Sequence, residues 1–300
     1  MGYLWLIYIL SLSYHCFILH SNLEQIFNYY HQILQFMASM NGNMGFIGSM
    51  GNISAYKMLG SDKIIIRTKG GAKKDKIKRS PKFALTRENN SEFGGCAKMS
   101  KSIRAAIYPI CHLADYNFTS AITSIVKKIQ LQDVAHKRGE RAVYLSQYRY
   151  LLDGFSLNKN TSFDAIIRHS FHPQLNKEDG SVTVELPALI PGVNLNLPWP
   201  QPVYRLVFSI GVVNDLEYGA MGFNPPSQSN NFTNQAYTPW QPSKQIQAAQ
   251  TINLQLQGFE PLTDNQSIII AAGIEMGAQH TMSEIHFVKY CGNAKILLVG

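Results

Sequence analysis

The hydrophobic period of this chain changes near residue 160, and no other feature constrains its fold as tightly. Before that point Phe118, Ala121, Ile122, Ile125, Val126 and Ile129 recur at i, i+3, i+4 spacing, which gives a helix one apolar face. The spacing predicts a helix from about Asn117 to Gly139. His136, Lys137 and Arg138 would sit at its negative pole, and Gly139 would serve as a left-handed cap. Tyr144, Leu145, Tyr148, Leu151 and Leu152 repeat the pattern up to Gly154, and a helix kinked at Pro109 precedes both. Short connections would fold these helices into an antiparallel bundle.

After residue 160 the period is two. Val182, Val184 and Leu186 alternate with Thr183 and Glu185. Tyr204, Leu206, Phe208, Ile210 and Val212 share one face, and Ile252, Leu254 and Leu256 alternate with Asn253, Gln255 and Gln257. Such alternation predicts strands buried on one side only. The unbroken apolar runs 268–272 and 296–299 predict interior strands, and the Pro- and Asn-rich stretches 187–202 and 222–243 read as loops. The expected class is α+β: an N-terminal β-ribbon and basic arm, central antiparallel helices, and a C-terminal antiparallel β-sandwich, with an immunoglobulin-like arrangement among those open. The expected divisions are 1–36, 37–158 and 159–300.

Charge is distributed unevenly. Residues 61–104 hold nine Lys and four Arg against four acids, whereas the whole chain has a net charge of +8. The last hundred residues carry only ten charged side chains, which suits extensive packing or contact with other chains. Cys16, Cys96, Cys111 and Cys291 form no CxxC pair, so neither a zinc cage nor a redox motif is implied.

The opening of the chain stands apart. Tyr3 to Leu19 is apolar and aromatic and approaches the length of a bilayer span, yet no Lys or Arg occurs before Lys57 and no small-residue cleavage site follows it. The preferred reading is an upstream extension ahead of an initiator at Met37, which places the protein in the cytoplasm. The alternatives are a membrane anchor through Tyr3–Leu19 or an ordinary buried helix.

Glycines at 42, 45, 48 and 51 recur every third residue, a spacing that fits neither a dinucleotide-binding loop nor a P-loop. They predict turns and a bulged strand. Ile53–Leu59 and Lys63–Thr68 flank Gly60-Ser61, a two-residue loop suited to a type II′ hairpin. The lysine-dense stretch that follows reads as an exposed arm entering a helix near Ser91. Its contact candidates are Lys73, Lys74, Lys76, Lys78, Arg79 and Arg87, which suit phosphate or a docking subunit.

Ser80, Pro81, Phe83, Thr86, Arg87, Asn89, Glu92, Phe93 and Gly94 spell S-P-x-F-x-x-T-R-x-N-x-x-E-F-G. With the glycine-containing ribbon before it, residues 46 to about 104 resemble the opening of an uncharacterised protein group of the Bacteroidota. The resemblance implies group membership and a start near the ribbon, and it implies no activity.

No HExxH, GxSxG or clustered carboxylates occur, and the histidines, His112 with Asp115 and His169 with His172 among them, show no orienting partner. A non-enzymatic structural or interaction protein, self-assembling or bound to another subunit, is therefore expected, with no cofactor and no metal. Nucleic acid is the alternative partner, and a membrane enters only through residues 1–36. The interaction-surface candidates are Trp199, Tyr204, Tyr237 and Trp240, because Trp and Tyr give large contact area at low entropy cost. The reading favoured over this one is that Trp199 and Trp240 simply seal the sandwich edges.

Overall fold

The computed structural model describes residues 39–41, 45–57, 63–225, 233–256, 258, 261–281 and 284–300. The readings of Tyr3–Leu19, of Met37 and of the Gly60-Ser61 loop lie outside these residues. The described residues fall into two compact units, divided between Lys76 and Ile77. The division thus falls well before the boundary expected near residue 158, because the middle helices and the later strands share one core.

In the first unit β1 (Ser39–Asn41), β2 (Gly45–Met50), β3 (Ile53–Lys57) and β4 (Ile64–Thr68) form an antiparallel sheet in chain order. Gly51, with φ of 54°, supplies the left-handed residue of the β2–β3 turn. β3 pairs with β4 from Lys57↔Ile64 to Ile53↔Thr68, as the expected hairpin requires.

The lysine-dense stretch is partly helical. α1 (Lys74–Arg79) is followed by a 3-10 turn over Pro81–Phe83 and then by α2 (Ala84–Ala106), which starts a full two turns before Ser91. The early start escapes the periodicity because the partly buried residues of its first turns, Arg87 and Glu88, are polar, and Arg87 is tied down by the carbonyls of Ile77 and Ser80. Farther along, Cys96, Met99, Ile103 and Ala106 are buried at 3, 4, 3 spacing.

A 3-10 segment, Tyr108–Leu113, follows with Pro109 in its first turn, so the proline opens a new element instead of kinking a helix. α3 (Thr119–Gln130) buries Ile122, Val126 and Ile129. It ends eight residues before Arg138 because Asp133 accepts the backbone N–H groups of Ala135, His136 and Ala142 and turns the chain. Gly139 has φ of 94° but caps no helix; its N–H donates to Glu92 Oε1.

Residues 144–152 form two 3-10 turns, Leu145–Gln147 and Arg149–Leu151, instead of a second α-helix. Their apolar side chains at 145, 148 and 151 recur every third residue, which is the 3-10 repeat. Outside bonds fix them: Ser146 N–H and Oγ donate to Asp215, and Arg149 donates to the Gln266 carbonyl and to Ser267 Oγ. The bundle is therefore the α2–α3 pair with 3-10 segments laid beside it. A short α4 (Phe163–Ile166) begins the next part, with Ser162 Oγ accepting from the Ala165 N–H as its cap.

The strands that follow are β5 (Gln174–Asn176), β6 (Ser181–Leu186), β7 (Val203–Asn214), β8 (Glu217–Gly219), β9 (Gly222–Asn224), β10 (Thr233–Tyr237), β11 (Gln241–Pro242), β12 (Gln250–Gln255), β13 (Gln266–Gln279) and β14 (Ile285–Val299). The main sheet runs β10-β7-β13-β14, with β11 also on β7; a smaller sheet runs β12-β6-β5; β8 and β9 form a two-stranded ribbon. All pairings are antiparallel.

One core lies between the two sheets. Val182, Val184 and Leu186 of β6 and Leu254 of β12 meet Tyr204, Leu206, Phe208, Ile210 and Val212 of β7. A second core covers the other face of the main sheet, where Val207, Val213, Ile269, Ala271 and Ala294 meet Met99, Ile103, Ile107 and Ile110. β7 is consequently buried on both sides, not one. Its odd positions hid this because several are small or polar: a Cβ on Gly211 would lie 2.6 Å from the Ala106 carbonyl oxygen, and Ser209 Oγ donates to that same oxygen. The architecture is α+β, with a helical layer, a central sheet and a second sheet stacked in that order. Among the described residues no helix is long and apolar enough to cross a membrane.

Candidate functional site

The basic candidates divide into two kinds. Lys73, Lys74, Lys76, Lys78 and Arg79 are exposed, and none of them enters an ion pair among the described residues. Arg87 is occupied: its Nη1 donates to the carbonyls of Ile77 and Ser80 at 2.7 and 2.9 Å and so ties the end of α1 to α2. Other motif residues are structural too. Asn89 Oδ1 accepts from Arg138, and Glu92 accepts from Lys127 Nζ and from the Gly139 N–H. Burial raises the Glu92 pKa, but these bonds and the Lys127 and Arg141 charges outweigh it and hold the carboxyl below its ordinary value.

The aromatic candidates separate by face. Tyr204 points into the core between the sheets, where its hydroxyl donates to Gln247 Oε1 and burial pushes its pKa up to about 12. It is a core residue, not a contact residue. Trp199 packs against the same core, half-buried, beside a shallow pocket of about 260 Å³ that Gln201 and Lys244 also line. Tyr237 and Trp240 belong to the other face, and the structure brings them together around a residue that periodicity did not select.

That residue is Arg205. It sits on β7 directly opposite Glu275 on β13, with its Nε 2.6 Å from Glu275 Oε2. Its guanidinium lies 4.2 Å from the Tyr237 ring centroid and 4.5 Å from that of Trp240, so two aromatic rings grip it. Trp240 reaches this position because β13 carries glycine at 277; a Cβ there would lie 2.7 Å from the indole. Glu275, 2% exposed, accepts from His112 Nε2 at 2.7 Å through its other oxygen. His112 in turn meets Phe287 of β14 edge-to-face, ring centroids 5.4 Å apart. The pairing with Asp115 considered from the sequence does not form: Asp115 accepts the backbone N–H groups of 159 and 160.

Burial raises the Glu275 pKa, but the hydrogen bonds from His112 and Arg205 together with their charges more than offset it, and the carboxyl stays below its ordinary value. Both carboxylate oxygens are engaged, one by Arg205 and one by His112, and the guanidinium does not release a proton, so Arg205 and Glu275 form a fixed ion pair. Neither Nη of Arg205 has a hydrogen-bond partner among the described residues, and a quarter of the side chain is exposed. The segment Tyr108–Leu113 packs on β7, β13 and β14. Tyr237 and Phe287 are 40% and 46% exposed, and Tyr290, at φ of 62° in the β14 bulge, is 89% exposed.

Arg205, Glu275 and His112 lie on three elements far apart in the chain, so no local spacing groups them. The signal was present: Glu275 interrupts the run from Ile268 to Met276, and a charge inside an apolar strand must find a partner.

Another concavity is a groove of about 950 Å³ between α2 and α3, with Asn89, Asn90, Phe93, Ser120 and Lys128 on its walls. The cation Lys127 on this groove is committed to Glu92 and Gln130. No family model matches the chain, and neither a curated protein nor a solved structure matches it.

Proposed function

We propose that this chain is a non-enzymatic interaction protein that assembles with copies of itself through the aromatic end of its main sheet. The observation that carries the reading is Arg205, which lies against the rings of both Tyr237 and Trp240 and is paired with Glu275. Trp, Tyr and Arg are the residues that dominate binding energy at protein interfaces, and side chains already held in place lose little entropy on contact. The sparse charge of the last hundred residues adds support, because few ions need be stripped of water when that surface is covered. Light scattering across a wide concentration range tests it: the expected result is an oligomer that dissociates on dilution and is lost in W240A. A monomer at every concentration overturns self-assembly.

A second reading, nucleic-acid binding, is favoured by one observation: Lys73, Lys74, Lys76, Lys78 and Arg79 all lie exposed on and beside α1. It requires an affinity that falls steeply with salt and a slope that shrinks when these five become Ala. Absence of DNA or RNA retention at low salt removes it.

A further inference from the structure

An arginine with one edge of its guanidinium satisfied still presents donors along the others. Arg205 gives its Nε–H to Glu275, and the N–H bonds of its two Nη atoms have no acceptor among the described residues. The side chain is held in place: the Tyr237 and Trp240 ring centroids lie 4.2 and 4.5 Å from its guanidinium carbon, and Glu275 is itself fixed by His112. A planar fork held in this way matches the two oxygens of a carboxylate, which it can engage through two parallel hydrogen bonds. Glu275 also decides against stronger anions. It cancels the Arg205 charge, which leaves a site with directional donors and little net field, so a doubly charged phosphate gains little over a single carboxylate. The surroundings, half-exposed rings of Tyr237, Trp240 and Phe287, suit the body of a polypeptide and not a small free ion.

We propose that the outward fork of Arg205, framed by Tyr237 and Trp240, is a recognition site for an acidic side chain of a partner polypeptide. The inference rests on the interaction reading above and names the chemistry of the contact.

The test uses the full chain and the indole N–H signal of Trp240 in a proton–nitrogen correlation spectrum, assigned by its loss in W240F. The probes are a blocked peptide of Glu and Gly, the same peptide with Gln for Glu, and inorganic phosphate. The expected result is a saturable shift at millimolar Glu peptide and none with the Gln peptide. R205K keeps a cation opposite Glu275 but loses the fork, and it should weaken the Glu peptide about tenfold. Equal response to the Gln peptide, unchanged affinity in R205K, or tighter binding of phosphate than of the Glu peptide would each overturn the proposal. The comparison of the two peptides on the wild-type chain needs no variant to fold. The two claims also fail separately. An oligomer lost in W240A whose Trp240 signal ignores the Glu peptide keeps the interaction reading and sinks the carboxylate site. A strict monomer that binds the Glu peptide does the reverse.

Discussion

Removing Arg205 should cost more than neutralising Glu275, although the two share one ion pair. In R205A the Glu275 carboxylate, 2% exposed, keeps only His112 as a side-chain partner. A buried charge stripped of its counter-ion costs about 3 kcal/mol, at the low end of the usual range because one donor remains. The Tyr237 and Trp240 rings also lose the cation between them. In E275Q the charge left behind is Arg205, which is already a quarter exposed to water where it stands and can still donate Nε–H to the amide oxygen of the new side chain, so the loss should be about 1.5 kcal/mol. The double variant R205A/E275Q no longer buries an unpaired charge and should lose less than the sum of the two, by about 1 kcal/mol or more. Urea unfolding at neutral pH measures all three. The sign with pH follows from the depressed Glu275 pKa. In the wild type its contribution is present above the ordinary value of 4.5 and is lost as pH falls through the lower folded value. In R205A a neutral carboxyl is cheap to bury, so the R205A deficit should shrink as the pH approaches that range. An R205A loss no larger than that of E275Q, or a strictly additive double variant, would refute the account of the cluster.

Three further outcomes follow from the packing. G211A should lose about 2 to 3 kcal/mol in urea unfolding, since its Cβ would sit 2.6 Å from the Ala106 Cα and carbonyl oxygen, where backbone must move. D133A should lose about 2 kcal/mol, because three backbone N–H groups, those of Ala135, His136 and Ala142, give up their acceptor where α3 ends. Acid should destabilise the wild-type chain: for Glu92, Asp133 and Glu275 alike, burial is outweighed by hydrogen bonds and the carboxyl is held below its ordinary value. Asp215, raised by burial, runs the other way. A midpoint that does not fall between pH 6 and pH 3 would contradict this balance.

The strands were legible wherever one residue in two is large and apolar. The set Tyr204, Leu206, Phe208, Ile210 and Val212 lies on one face as the alternation requires, and Val182, Val184 and Leu186 answer it from β6. What alternation could not reveal was the second burial of β7, since Arg205, Ser209 and Gly211 read as a solvent face and are small or paired instead. Residues 144–152 failed for a related reason. Their apolar spacing suits α and 3-10 turns alike, and bonds from Asp215 and from the start of β13 choose between them. At the candidate site, Tyr237 and Trp240 could be picked out as large aromatics in a polar loop. Their meeting at Arg205 depends on the pairing of β10 and β11 with β7, Tyr237↔Val207 and Gln241↔Tyr204, a register that no local pattern encodes.

The surface itself can be located directly by amide hydrogen exchange at low and high protein concentration. If the chain assembles through the end of its main sheet, exchange should slow at high concentration in residues 237–242 and 285–291, and W240A should abolish the difference. Protection that appears instead on α2 and α3 along their groove, or no concentration dependence anywhere, would contradict the assignment.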